Sequence, residues 1–270
     1  MLRLHFFGFL LVCLAACGGG SSGGGSTDIS DPPPAIQSPG GIWVGTDSAA
    51  APVSLYIAET GKLRATLHPD GGLFVAFGAG SVDVTSSAVV SGSFELRGPL
   101  LPAPVAGNED LGCSVAGSLQ ERQTLNVDLV CSDSNGVVYD EALTLAYESV
   151  SYERASSLAD IEGNYTLIFQ PDTNSLSITG DGTLSGMYHN GANCAINGMA
   201  SIIDANYTLI GVSWTMSGCT DLRGIYEGAE MSGFAIANPA STGDPDSYYF
   251  LLTGQTEDGL YAVSVLYEPT

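Results

Sequence analysis

Apolar and polar residues alternate along most of the chain. In TLNVDLV, residues 124–130, apolar residues occupy every second position from Leu125 to Leu129, and Asn126 and Asp128 lie between them. The segments VSGSFEL (90–96) and YTLIGVSWTM (207–216) have the same period of two. This period is typical of antiparallel strands that pack one face on a core and expose the other to water. The pattern therefore predicts an all-β fold.

Short turn signals separate these segments. PDGG at 69, SNG at 134, GDG at 180 and EDG at 257 combine glycine with aspartate or asparagine, as tight hairpin turns prefer. No long segment has a helical period, and the 35 glycines weaken any helix. Short strands joined by local turns predict antiparallel meanders.

An internal duplication divides the chain into two modules. SLYIAETGKLRATLH at 54–68 aligns without a gap with SLSITGDGTLSGMYH at 175–189. The copies also end alike, in LTLAYE at 143–148 and VSVLYE at 263–268. We predict tandem modules at 41–148 and 163–270, joined by a linker at 149–162 that contains a short helical turn.

Each module is predicted to be a small up-and-down, calycin-like barrel of about seven or eight strands, because closure removes exposed strand edges. Closed barrels would bury their own apolar faces and leave few contacts across the linker. The alternative is one continuous sheet shared by both copies, which would place any binding site between them.

The N-terminal residues have the organisation of an export signal. Residues 1–16 contain an apolar stretch too short to span a bilayer, as in secretory signal peptides. Residues 17–40 follow it and are rich in glycine, serine and proline, which predicts a disordered, flexible tether.

The sequence LAAC at 14–17 resembles the lipobox of bacterial lipoproteins. The resemblance implies that Cys17 receives a diacylglycerol and an acyl chain such as palmitate and becomes the first residue of the mature chain. Two or more acyl chains anchor a protein stably in a membrane. Gly18, rather than aspartate, resembles the signal for sorting to the outer membrane. The alternative is an ordinary signal peptide followed by a chance cysteine.

The chain is strongly acidic, with 29 acidic residues against seven basic ones and a formal net charge of −22. This charge repels phosphate backbones and excludes nucleic acid as a partner. The basic residues are scattered singly, so no basic patch is available for anionic lipid heads. The acidity either serves solubility or steers cationic partners toward the protein.

Four cysteines remain in the predicted modules: Cys113, Cys131, Cys194 and Cys219. Exported chains meet an oxidising compartment, so these cysteines predict disulfides, and the tight spacing of zinc sites is absent. Of three possible connectivities we favour Cys113 with Cys131 and Cys194 with Cys219, because each pair lies within one repeat.

Candidate chemistry is sparse, and no catalytic or phosphate-binding motif is present. His68 and His189 occupy equivalent positions in the duplication and are the candidate bases, although a retained turn residue explains both. The segment SDSNGVVYDE at 132–141 offers calcium ligands in Asp133, Asn135, Asp140 and Glu141, or forms a solvated hairpin. We predict a protein that is not an enzyme, with no metal and no cofactor.

Aromatic residues cluster late in the second copy, at Tyr226, Tyr248, Tyr249 and Phe250. They pack in the core or face a partner.

The run from YERASSLADIEGNYT through DGTLSG to the end of WTMSGC, residues 152–219, resembles a group of uncharacterised lipoproteins of Gram-negative bacteria with a tandem β repeat. The resemblance covers about a quarter of the chain and implies compartment and repeat structure only. The proline-rich insertion GPLLPAPVAGNED at 98–110 departs from that group.

Two functions remain open. The first is a non-enzymatic binding or structural component of the envelope, anchored to either face of the outer membrane. The second resembles small periplasmic lipoproteins that inhibit cationic host enzymes such as lysozyme. Their SG-x-x-Y loop is not reproduced, because SGMY at 185–188 is one residue short.

Overall fold

A computed structural model describes residues 37–67, 76–97, 111–167, 175–188, 193–220, 227–237, 248–255 and 265–269. The segment 34–270 forms one compact unit. The predicted signal peptide, Cys17 and most of the predicted tether lie outside the described residues, as do His68, His189 and the insertion at 98–110.

The described residues form sixteen strands, which we number in chain order. The first eight are β1 Gly41–Thr46, β2 Pro52–Ile57, β3 Lys62–Leu67, β4 Ala76–Val84, β5 Val89–Arg97, β6 Leu111–Gln120, β7 Thr124–Asp133 and β8 Gly136–Tyr147. The second eight are β9 Gly163–Leu167, β10 Ser175–Ile178, β11 Thr183–Tyr188, β12 Cys194–Ile202, β13 Ile210–Ser217, β14 Glu230–Ala237, β15 Tyr248–Gln255 and β16 Val265–Pro269.

The strands close into two separate antiparallel barrels of eight strands each. Each strand pairs with its neighbour in sequence, and β1 closes the first barrel by pairing Trp43 with Tyr147 on β8. The second barrel closes between β16 and β9, where Tyr267 pairs with Leu167. The predicted all-β, up-and-down architecture is confirmed, and the alternative of one shared sheet is wrong.

Apolar side chains fill the interior of each barrel. In the first barrel, Trp43 and Leu129 are fully buried, together with the other inward positions of β7. In the second, Trp214 and Met216 occupy the same kind of position on β13. Burial of a large apolar side chain contributes about 1.5–3 kcal/mol relative to exposure. The interiors are therefore packed cores, as is usual for barrels of this size.

The duplication is visible in the second hairpin of each barrel, β2–β3 and β10–β11. Gly61 has φ of 82° and Gly182 has φ of 86°, a left-handed conformation that favours glycine. The carbonyl of Gly61 accepts a hydrogen bond from the amide of Val82 at 2.9 Å, and that of Gly182 accepts one from Ala200 at 2.8 Å. The same turn thus joins the same strands in both copies.

Each barrel contains one of the two predicted disulfides. Cys113 and Cys131 lie directly opposite each other on β6 and β7, inside the first barrel. Cys194 begins β12 and is linked to Cys219, which follows β13. The predicted connectivity is confirmed.

The linker contains the predicted helical turn. A four-residue helix, α1, spans Ser149–Tyr152, and the Glu148 side chain accepts a hydrogen bond from the amide of Val150 at its start. A short 3-10 turn follows at Leu158–Asp160, where the Asp160 carboxylate accepts hydrogen bonds from the amide and hydroxyl of Ser157.

An apolar seam joins the outer walls of the two barrels. Its buried members are Ile42, Ala58 and Tyr152 from the first copy and the linker, and Leu209, Phe234 and Ile236 from the second copy. Tyr152 stacks on Tyr207 with ring centroids 4.8 Å apart. Each barrel buries its own core, as expected, and a third, smaller cluster lies between the two barrels.

Residues 37–40, assigned above to the tether, lie against the first barrel. The Trp43 indole donates a hydrogen bond to the carbonyl of Pro39 at 3.1 Å. Ser38 donates to the carboxylate of Glu59, which also accepts a hydrogen bond from the Tyr152 hydroxyl at 3.0 Å. The chain is thus held where β1 begins, beside the linker helix.

Candidate functional site

A shallow groove on the outer wall of the first barrel crosses strands β4 to β7. Its volume is about 550 Å³. Its floor consists of two parallel rows, and each row contains one residue from each of the four strands, paired with its neighbours on the adjacent strands. One row is Ser81, Ser93, Ser114 and Val130, and the next is Ala79, Glu95, Gly112 and Ser132. We call this surface the serine groove.

The groove exists because its outward side chains are small. Gly112 has no heavy atom within 4 Å of the position that a Cβ would take, so the wall is open above it. Adjacent strands lie about 4.8 Å apart, so a row across four strands is about 14 Å long. That length accommodates an extended side chain or several units of a linear ligand.

Acidic side chains surround the groove. The next row across the same four strands begins with Asp83 on β4 and ends with Asp128 on β7. Asp140 on β8 pairs with Val130. All three are exposed. The basic neighbours among the described residues are Lys62, which pairs with Ser81, and Arg64, which pairs with Ala79 but is buried against Ser232 of the second barrel. Arg97 lies on β5, two positions after Glu95. Burial, and to a lesser extent the charge of Arg64, lowers the pKa of Lys62. The surface therefore favours a cationic or neutral ligand over an anion.

The chemistry of the groove suits recognition. Serine hydroxyls donate and accept hydrogen bonds, and the Glu95 carboxylate accepts them. Among the described lining residues no histidine or lysine is present to activate a serine hydroxyl. Cys113, beneath the floor, is held in its disulfide.

A second cluster of polar residues lies at the end of the first barrel that is opposite α1. Glu141 accepts hydrogen bonds from the amide and hydroxyl of Ser48, the latter at 2.7 Å. Asp133 accepts hydrogen bonds from the amides of Asn135 and Gly136 and so shapes the β7–β8 turn. Burial and the nearby carboxylates of Asp47 and Glu141 raise the pKa of Tyr139.

These contacts involve the residues of segment 132–141 that were considered as calcium ligands. Asp133 and Asn135 form the turn of a hairpin, Asp140 lies on the outer wall, and Glu141 bonds to another hairpin. Within the part of the chain that the structure describes, no group of three or more histidine, cysteine, aspartate or glutamate residues could hold a metal ion.

Other sequence candidates are placed differently. SGMY at 185–188 lies within strand β11, with Tyr188 buried, and does not form a loop. Phe250 packs in the core of the second barrel, with its ring centroid 5.4 Å from that of Tyr165. Tyr226 is outside the described residues, and the side chains of Tyr248 and Tyr249 are not described.

Comparisons with protein-family models, with curated proteins and with solved structures find no match. In the described part of the chain, no helix has the length and apolar character needed to cross a membrane.

The sequence did not reveal the serine groove, although it contains a signal for it. Half of the outward positions of β5 and β6 are serine or glycine, namely Ser91, Ser93, Gly112, Ser114 and Ser118. Exposed faces usually carry long charged side chains. A run of small polar residues at the outward positions of two neighbouring strands indicates a depression in the wall.

Proposed function

We propose that the protein is a non-enzymatic lipoprotein of the outer membrane, anchored through Cys17, that binds a partner in the serine groove. The groove carries this proposal, because it is a preformed polar depression on a rigid, disulfide-containing barrel. The packed interiors support an external site, since side chains occupy the space in which larger barrels hold ligands.

The anchoring is tested by replacing Cys17 with alanine in the full chain, expressed in a Gram-negative host. The parent should fractionate with the outer membrane, and C17A should appear in the soluble fraction, because the acyl chains supply the membrane affinity. A C17A variant that remains as firmly membrane-bound as the parent would show that the protein is not held by a lipid at this residue.

The binding surface is tested with a photo-cross-linking residue in place of Ser93, in the centre of the groove. The matched control carries the same residue at Ser185, which is exposed on the outer wall of the second barrel. We expect illumination of intact cells to give a discrete adduct from position 93 and none from position 185. Equal adducts from both positions, or none from position 93, would remove the groove as the binding surface.

A second candidate function is inhibition of a cationic host enzyme such as lysozyme. The carboxylates beside the groove favour it. SGMY, which is one residue short of the inhibitory loop, lies inside strand β11 and gives this function no further support. Lysozyme binding at low salt that is accompanied by loss of lysozyme activity would support the inhibitor. Binding without loss of activity would favour the envelope-binding function.

A further inference from the structure

The two barrels have the same order of eight strands, which allows equivalent positions on their outer walls to be compared. Gly80 pairs with Phe94 on β4 and β5, and Gly198 pairs with Trp214 on β12 and β13. A Cβ on either glycine would lie 2.1 Å from a serine carbonyl oxygen, that of Ser93 or of Ser213. The two glycines therefore occupy the same structural position under the same kind of buried ring.

This equivalence extends to the next strand. Ser93 pairs with Ser114 on β6, and Ser213 pairs with Ser232 on β14. Ser114, in the middle of the serine groove, is therefore the counterpart of Ser232. The groove of the first barrel corresponds to the wall of the second barrel that packs against the first.

On the second barrel, this wall binds an arginine. The Arg64 guanidinium, from β3 of the first barrel, donates through Nη2 to the carbonyl oxygen of Ser232 at 2.8 Å and to its Oγ at 3.0 Å. It lies 5.7 Å from the centroid of the Phe234 ring, within the range of a cation–π interaction. Arg64 is 3% exposed, and burial lowers its pKa to about 10, so it remains charged at neutral pH.

The equivalent wall of the first barrel has the serine, whose hydroxyl lies 3.5 Å from the carbonyl oxygen of Val130, and among the described side chains no arginine bonds to it. Ser114 is exposed in the groove. At the position of Phe234 the first barrel has Ala116, which pairs with Asp128 where Phe234 pairs with Leu251. The ring is thus replaced by a methyl group, and Asp128 lies opposite it on the neighbouring strand. A carboxylate can bind a guanidinium with two hydrogen bonds, so the change favours an arginine supplied from solution.

We propose that the serine groove binds an arginine side chain on the surface of another, basic protein, as the second barrel binds Arg64. This inference rests on the proposed function, in which the groove is the binding surface. The guanidinium lies on Ser114 and faces the carboxylate of Asp128, which is in the next row on the adjacent strand β7. A second copy of this chain is disfavoured as the partner, because two chains with a net charge of −22 repel each other.

The test measures calorimetric binding of oligoarginine and of oligolysine of the same length to the full chain in a non-ionic detergent. We expect oligoarginine to bind at least about tenfold more tightly than oligolysine, because a guanidinium donates two parallel hydrogen bonds to a carboxylate and an ammonium does not. Binding should weaken as salt is added, because salt screens the charges. S114F and D128N should each reduce oligoarginine affinity about tenfold. The control S185F, on the exposed wall of the second barrel, should bind like the parent.

Equal affinities for the two peptides, or binding that neither S114F nor D128N weakens, would overturn the inference. D128N keeps the test valid if S114F does not fold, because it changes a charge without adding bulk. Failure of this inference is separable from failure of the proposed function. An adduct from position 93 that excess oligoarginine does not prevent would retain the groove as a binding surface and exclude arginine as its ligand.

Discussion

Replacing Phe234 with alanine is expected to lower the free energy of unfolding by about 3–5 kcal/mol. The ring is fully buried in the seam although it lies on the outer wall of the second barrel. Its removal leaves a cavity between the barrels and takes away the aromatic face beside the Arg64 guanidinium. The loss is therefore expected at the contact between the barrels, with both barrel cores intact.

Urea unfolding measures the overall loss, and limited trypsin digestion locates it. Arg154 lies exposed in the linker, so a loosened seam should increase cleavage after this residue. M199A is the control, because Met199 is half exposed on the outer wall of the same barrel, and its change should remain within about 0.5 kcal/mol. If F234A unfolds and is cleaved like M199A, the seam does not hold the barrels together.

The barrels themselves could be predicted from the sequence, because each strand has its own local signal. The alternation in β7 places Leu125, Val127 and Leu129 inside, and the structure buries all three. The glycine-containing turns predicted that neighbouring strands form hairpins, and the internal duplication predicted where each module begins and ends. In an up-and-down topology each strand pairs with its neighbour in sequence, so local signals suffice.

The seam could not be inferred from alternation, because it consists of the exceptions to alternation. Ile42, Trp43 and Val44 are consecutive apolar residues in β1, as are Phe234, Ala235 and Ile236 in β14. A strand that is apolar on both faces indicates burial on both faces. The two runs therefore predict an outer contact, but only the folded structure identifies each as the partner of the other.

The serine groove depends on the register of four consecutive strands, β4 to β7. Ser81, Ser93 and Ser114 become neighbours only because β4, β5 and β6 pair without a slip. A slip of one residue would turn these serines into the core. Short turns at 85–88 and 121–123 restrict the register of two of the hairpins, but the connection between β5 and β6, residues 98–110, is longer and its length alone does not fix the register.

Replacing Gly80 with alanine is expected to destabilise the first barrel by about 3 kcal/mol, the upper part of the range for overpacking. A Cβ at this position would lie 2.1 Å from the carbonyl oxygen of Ser93 and 2.5 Å from the Cα of Phe94. Both are backbone atoms of β5, so no side-chain rotation relieves the contact, and β4 and β5 must separate.

Gly112 provides the matched control, because it lines the same groove and has open space around its Cβ position. G112A should change stability by no more than about 0.5 kcal/mol, whereas G80A should both melt earlier and lose the adduct from position 93. The second loss follows because separating β4 from β5 moves Ser81 away from Ser93 and breaks the row that forms the floor. Equal stabilities of G80A and G112A would show that the two strands do not pack as closely as the register requires, and the equivalence of Ser114 with Ser232 would lose its structural basis.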